Sequence, residues 1–259
     1  MTASPAKGRA VKPQETPLMA NLATIAALAE LNGAVVVDKP AGIAPHDVVK
    51  TVKTVFNLVK VGHGGTIPPN ASGVFPVLLG DATRLSADIM GRDRSFEGVL
   101  MLGRSTDTFD REGRVTRERP FADVTRERFE AALPEFTGDV FQTEPEYSAI
   151  LKHGVAGYEI VKTSSDEGAK PRLHHVYRFD VTDFAPPLVS FSLRCTKGLS
   201  PRALVNDLGE ALGCGASIES LRRTKAGPFS IEDAIPFMEL VKLHPADFAS
   251  KVLPMGRLV

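Results

Sequence analysis

The stretch GHGGTIPPNASG, residues 62–73, decides how the rest of the chain is interpreted. Its four glycines and two prolines are typical of a loop, because both residue types interrupt helices and strands. Short apolar runs lie on both sides of it, AVVV at 34–37 and VFPVLL at 74–79. Runs of this length and composition predict buried strands. The sequence therefore predicts a loop held between strands of a sheet.

The rest of the chain mixes helical and strand patterns. Residues 45–56 place their valines on one face of a predicted helix. Residues 175–184 and 188–196 alternate as paired strands, and residues 231–240 are predicted to form a final helix. Because strands and helices mix without a βαβ repeat, the pattern predicts an α+β fold with a largely antiparallel sheet.

Composition narrows the class of protein. The 31 basic and 31 acidic residues balance, so no global field attracts a polyanion, although a local basic face could still bind one. Cys195 and Cys214 form no CxxC pair, which argues against a disulfide framework or a cysteine zinc site. No apolar run is long enough to span a bilayer, and no signal pattern is present. We expect a soluble monomer of the reducing cytoplasm.

Single motifs leave the function open. The glycine-rich loop could cradle phosphate, but it lacks the GKS or GKT ending and the GxGxxG spacing that such loops use. His153, His174 and His175 have no matching carboxylate or cysteine spacing, so exposed loop and strand histidines explain them better than a metal site. A Ser-His-Asp triad is conceivable, yet no GxSxG elbow occurs.

Five separated segments are more informative because they occur in a fixed order. They are DKPAGIAPHDVV, VGHGGTIPPNASGVFPVLLGDATRL, LGRSTDTFDREG, QTEPEYSAILKHG and CTKGLSPRALVNDLGEALGCGASIESLRR. Together they resemble the TruB family of tRNA pseudouridine synthases over roughly residues 33–225. The resemblance implies a pseudouridine synthase fold, with a central mixed, mainly antiparallel sheet, flanking helices and a cleft. It also implies the T-arm of tRNA as substrate, an aspartate as the catalytic group, and no metal or organic cofactor.

The resemblance assigns roles to individual positions. His63 matches the loop histidine that contacts the RNA arm, and Gly65 belongs to the loop framework. Arg202 matches an arginine that pairs with the catalytic aspartate, and Leu221 matches an apolar residue of the base pocket. The remaining RNA-binding candidates are Lys39 in the first segment, Tyr147 before a mobile RNA-clamp insert, and Arg222 and Arg223 after Leu221.

The catalytic positions depart from the family pattern. Pro68 stands where the family has its aspartate, and proline has no group for covalent or acid–base chemistry. Phe96 stands at the tyrosine that stacks on the flipped base, so stacking is kept and the hydroxyl is lost. A plain core aromatic is an equal interpretation of Phe96. Arg202 would lack its partner and become an uncompensated cation, for which an RNA phosphate is one candidate partner.

Three hypotheses follow. The first is a catalytically impaired homologue that still binds the T-arm or a similar folded RNA. The second is an active isomerase whose carboxylate comes from Asp38, Asp47 or Asp81. The third is a protein-interaction scaffold. In domain terms we expect a disordered tail plus an extra helix over 1–32 and a pseudouridine synthase-like domain over 33–245, with the insert at 151–171. A short tail over 246–259, too short for a further RNA-binding domain, would complete the chain.

Overall fold

The computed structural model describes Leu28 and residues 30–142, 147–149, 158–160 and 171–258. For residues 147–149 and 158–160 it describes the backbone only. Most of the predicted tail and N-terminal helix, and most of the insert at 151–171, therefore lie outside the described residues.

One large mixed sheet organises the described chain. Its strands run in the order β14-β1-β3-β12-β4-β11-β10-β7, and β2, β13 and β15 pair at its margins. The strands are β1 (Gly33–Lys39), β2 (Val61–His63), β3 (Ser72–Leu79), β4 (Arg94–Leu102), β7 (Gly138–Gln142), β10 (Arg172–Ala185), β11 (Leu188–Cys195), β12 (Ala216–Ala226), β13 (Phe229–Ser230), β14 (Ile235–Pro236) and β15 (Leu253–Pro254).

Two small hairpins lie outside the large sheet. They are formed by β5 (Arg104–Thr106) with β6 (Val115–Glu118) and by β8 (Tyr147–Ala149) with β9 (Tyr158–Ile160). The helices are α1 (Pro45–Val55), α2 (Ser86–Met90), α3 (Arg126–Ala132), α4 (Pro201–Ala211), α5 (Phe237–Leu240) and α6 (Pro245–Ser250). None of the helices in the described ranges is long and apolar enough to cross a membrane.

The pairing confirms the predicted fold class. Most neighbouring strands are antiparallel, including the predicted hairpin of β10 and β11. The exceptions are β1 with β14 and β12 with β3, which run parallel. A buried apolar cluster fills one face of the sheet and draws on helices α1 and α4, while a smaller cluster lies on the other face.

The predicted final helix over 231–240 is wrong. Residues Ile231–Asp233 form one turn of 3-10 helix, then β14 pairs with β1, and only Phe237–Leu240 is helical. Pro236 explains the break, since proline lacks a backbone donor and disfavours helical geometry at the residue before it. The residues after this helix also pack on the domain: β15 pairs with β1, and the ring of Phe248 stacks on Phe56 at 3.8 Å.

Candidate active-site cleft

The glycine- and proline-rich loop joins β2 to β3 and is held at both ends. The amide of Gly64 donates to the carbonyl of Pro76 at 2.9 Å. At the other end, the amide of Ala71 donates to the carbonyl of Pro68 at 3.1 Å, which closes a turn. The amide of Gly42 donates to the carbonyl of Pro69 at 2.8 Å. The loop is thereby tied to its own strand and to the turn after β1.

Gly73 lets two strands approach closely at the end of this loop. Its φ is +104°, which L side chains rarely adopt, and a Cβ there would lie 2.2 Å from the carbonyl oxygen of Arg223. In the parallel pairing of β12 with β3, Arg223 lies opposite Gly73. A glycine is therefore required for β3 and β12 to meet and to bring Arg223 under the loop.

Arg223 is a buried cation that supports the loop from below. Its side chain is 1% exposed and donates to the carbonyls of Val74 at 2.8 Å and Thr66 at 2.9 Å. Burial and the nearby charge of Arg94 lower its pKa. Within the described part of the chain it forms no ion pair. The resemblance to the TruB family assigned Arg223 to RNA contact. In the structure, however, its side chain donates its hydrogen bonds to backbone carbonyls.

Lys39 is buried in the same way. Its ammonium donates to the carbonyls of Pro40, Ile43 and Pro69 at 2.8, 2.9 and 3.0 Å. Burial, and secondarily the charge of Arg223, lower the pKa of Lys39 to about 8. These contacts use all three ammonium donors. In this structure Lys39 therefore positions the loop rather than presenting its charge to solvent.

Arg202 has a partner that the sequence analysis missed. It lies in the first turn of α4 and donates to a carboxylate oxygen of Asp110 at 3.3 Å and to the carbonyl of Thr108 at 3.1 Å. The side chains of Arg202 and Asp110 are 9% and 1% exposed. Asp110 also accepts from the hydroxyl of Thr108 at 2.7 Å and from the amide of Glu112 at 3.1 Å. The expectation that Arg202 is an uncompensated cation is therefore wrong.

Pro68 and the Arg202–Asp110 pair face a common cavity. Its wall is formed by Pro68, Asn70, Asp110, Arg202, Ile218, Glu219, Ser220 and Leu221. The cavity measures about 10 Å³. A single water needs about that much space, so the cavity in this conformation is far smaller than a nucleobase. The structure thus brings Pro68, Arg202 and Leu221 together around one small cavity.

The other candidate residues lie around this centre. His63 is half-buried, and its Nδ1 accepts from the amide of Gly65 at 3.3 Å. Burial, then the charges of Arg223 and His46, lower the pKa of His63. Gly65 has φ +131° and lies beside the guanidinium of Arg94. Phe96 is 6% exposed and belongs to the main core, in agreement with the core interpretation.

Two further candidates remain. Arg222 is committed to Asp38, with two hydrogen bonds of 2.7 and 3.1 Å to its carboxylate. Tyr147 lies in β8, and its side chain is outside the described part.

The carboxylates proposed as substitutes are engaged or remote. Asp38 pairs with Arg222, and Asp81 lies near Lys60 and Arg84 at 3.9 and 3.4 Å. Asp47 is exposed in the first turn of α1. None of the three lines the cavity beside Pro68. The acidic residues that do line it are Asp110 and Glu219, and Glu219 lies 3.4 Å from Arg104.

Comparison with known proteins gives the family context for this cleft. The family model described as "TruB family pseudouridylate synthase (N terminal domain)" matches residues 53–200. A second, described as "tRNA pseudouridylate synthase B C-terminal domain", matches residues 202–259. A protein named tRNA pseudouridine synthase B from Opitutus terrae is 37% identical over 226 residues, covering 87% of this chain and 94% of that protein.

Solved structures agree at the level of the fold. A chain of a Cbf5-Nop10-Gar1 complex superposes with a TM-score of 0.71 and 27% identity, covering 91% of this chain and 63% of that one. A chain of an H/ACA RNP bound to a substrate RNA containing 2'-deoxyuridine gives a TM-score of 0.67 and 26% identity, covering 88% and 60%. This chain thus spans less than two thirds of either solved chain.

Proposed function

We propose that this chain, which belongs to the TruB family of pseudouridylate synthases, binds the tRNA T-arm or a similar folded RNA without isomerising uridine. The proposal is supported by the resemblance, which puts Pro68 where the family has its aspartate, and by the cavity of about 10 Å³ that Pro68 lines. The position has neither the reactive group nor the space that the isomerisation of a flipped base requires.

The neighbouring carboxylate does not replace the missing one. Asp110 is fully buried and is held by Arg202, the Thr108 hydroxyl and the Glu112 amide. A nucleophile or base must lie within about 3.5 Å of the reacting atom in a productive orientation. Asp110 would have to leave its buried ion pair to do so, and such pairs cost several kcal/mol to break.

RNA binding is supported by the electrostatic field of the cations around the loop, which reaches solvent although the hydrogen bonds of Lys39 and Arg223 are made to backbone carbonyls. Lys39 and Arg223 are buried, Arg94 is half-buried, and none of the three forms an ion pair with a described residue. Fixed positive charges in a low-dielectric wall attract polyanions even where total charge is balanced. The family provides the substrate class, since a solved relative at 26% identity holds a substrate RNA.

The active-isomerase alternative now depends on Asp110. Among the described residues it is the one aspartate lining the cavity, and it would act only if RNA binding opened the pocket and separated Asp110 from Arg202. Pseudouridine formation by the unaltered protein, lost in Asp110→Asn while RNA binding is kept, would establish this alternative and overturn our proposal.

The test combines binding with turnover. Unmodified tRNA transcript is incubated with the protein, and RNA binding and pseudouridine content are measured on the same samples. We expect binding at low salt, where phosphate contacts are strongest, and no pseudouridine. Absence of binding at low salt would refute both RNA hypotheses and favour a protein-interaction scaffold.

The Pro68→Asp variant separates loss of the carboxylate from loss of the pocket. We expect little or no turnover from it, because the cavity remains closed and Phe96 lacks the tyrosine hydroxyl. Pro68→Ala is the matched control, since it removes the proline ring without adding a charge. Robust turnover by Pro68→Asp alone would show that the pocket opens on RNA binding and that only the carboxylate is missing.

A further inference from the structure

A second, larger groove is lined by other residues than the cavity at Pro68. It measures about 600 Å³. It begins near the loop, where a Cβ on Gly65 would lie 3.7 Å from the guanidinium of Arg94. Its wall is formed by Met90, Arg94, Asp139, Arg172, Leu173, His174, His175, Thr196, Lys197 and Gly198.

The groove is locally positive in a chain of zero net charge. Among the described residues of its wall, Arg94, Arg172 and Lys197 are basic and Asp139 is acidic. The carboxylate of Asp139 accepts from Nδ1 of His175 at 2.6 Å, so that charge is already engaged. Lys197 is exposed, and neither it nor Arg94 forms an ion pair within the described chain. The groove therefore favours an anion over a neutral ligand.

An exposed apolar surface lies at one edge of the groove. Leu173 on β10 is 56% exposed and faces Phe141 on the edge strand β7, which is 73% exposed. Farther along the same strand, Tyr177 is 44% exposed and contacts the ring of His175 at 4.8 Å. Exposed rings beside cations are the arrangement with which proteins stack unpaired bases while holding the backbone.

The geometry points to this groove as a binding site for unpaired RNA. Arg94 and Lys197 contact the phosphates, and a base stacks on the surface of Phe141 and Leu173. An unpaired strand fits better than a duplex, because paired bases stack on one another and hide their faces. This inference rests on the proposed RNA-binding function. It adds that the groove holds a single-stranded segment of the RNA, which flanks the folded arm.

The experiment compares two RNA hairpins with the same stem and loop, one blunt and one carrying an unpaired tail. Binding constants are measured by fluorescence anisotropy over a series of salt concentrations. Phe141→Ser and Lys197→Ala are the test variants, and Lys242→Ala, at an exposed lysine outside the groove, is the control. All three side chains are exposed, so folding is expected to be retained.

We expect the protein to bind the tailed hairpin more tightly than the blunt one. Phe141→Ser should weaken binding of the tailed RNA by roughly 5- to 150-fold, the range for one stacked base. Lys197→Ala should lower the slope of log K against log salt by about 0.7, the value for one single-strand phosphate contact. Binding of the blunt hairpin, and all binding by Lys242→Ala, should remain unchanged.

The outcomes separate this inference from the proposed function. If the protein binds both hairpins equally and the groove variants bind like the unaltered protein, the groove inference is wrong and the proposed function stands. Equal weakening for both hairpins would overturn it as well, because the groove would then hold the duplex. If neither hairpin binds at low salt, the proposed RNA-binding function is refuted, and the groove inference that rests on it is refuted as well.

Discussion

The buried pair of Asp110 and Arg202 gives the sharpest test of how this cleft is built. We consider the substitution Asp110→Asn, which keeps the shape of the side chain and removes its charge. Arg202, which is 9% exposed, would then lose the carboxylate oxygen that accepts from it at 3.3 Å and keep the carbonyl of Thr108. Removing one member of a buried pair costs roughly 3–5 kcal/mol, because the remaining charge loses the carboxylate that offset its desolvation.

The assay is equilibrium unfolding in urea, followed by circular dichroism. We expect the free energy of unfolding to fall by about 3–5 kcal/mol, with a decrease in Tm on the order of 10 °C for a chain of this size. Asp183→Asn is the matched control, because Asp183 is exposed and forms no ion pair within the described residues. The control should change stability by less than about 0.5 kcal/mol.

A second substitution tests whether position 68 can take over the pairing. Pro68 and Arg202 line the same cavity, so Pro68→Asp in the Asp110→Asn background brings a carboxylate back to the wall that Arg202 faces. We expect the double variant to regain part of the lost stability, whereas the two effects would simply add if the sites were independent. If Asp110→Asn lowered the free energy of unfolding by less than about 0.5 kcal/mol, the claim that the buried pair stabilises the cleft would be refuted.

Other parts of the cleft yield further predictions. Gly73→Ala should cost at least about 2 kcal/mol in urea unfolding, because a new Cβ meets the Arg223 backbone at positive φ; Gly213→Ala, at φ +82° in open space, should cost less. Folding lowers the pKa of Lys39 from 10.5 to about 8, so the free energy of unfolding rises with pH between these two values. The difference in free energy of unfolding between the unaltered protein and Lys39→Met should increase by about 2 kcal/mol in favour of the unaltered protein from about pH 7 to about pH 9.5. A difference that stays constant with pH would contradict this. His63 should titrate below its ordinary pKa of 6.5 in an NMR pH series.

The fold could largely be predicted because its signals are local. Alternation over residues 175–184 and 188–196 is a property of neighbouring residues, and the structure pairs these strands as β10 and β11. The predicted helix over 231–240 failed for an equally local reason that the apolar pattern concealed, namely Pro236. The parallel pairing of β12 with β3 has no signal in either strand alone.

The site was harder to predict because its key contact is distant in sequence. Asp110 lies in a polar segment, TDTFD, whose composition indicates an exposed loop. Its burial results from Arg202, 92 positions later, and from a bridge to Ile218 on β12. Likewise, Lys39 and Arg223 have residue types typical of RNA contact, yet their partners are backbone carbonyls of the loop. Side-chain type alone does not distinguish a cation that binds RNA from one that supports a loop.

The loop itself explains how Pro68 is compatible with an otherwise retained scaffold. Its hydrogen bond in the described structure is made by the carbonyl, which accepts from Ala71, and this bond needs no amide proton and no side chain. The scaffold constraints lie elsewhere, in Gly73, Lys39 and Arg223, which act on the backbone. Position 68 can therefore hold a residue without a carboxylate and the loop is still formed. It follows that Pro68→Ala should leave both stability and RNA affinity close to those of the unaltered protein, whereas Gly73→Ala should impair both. Similar effects of the two variants would contradict this separation of scaffold from chemistry.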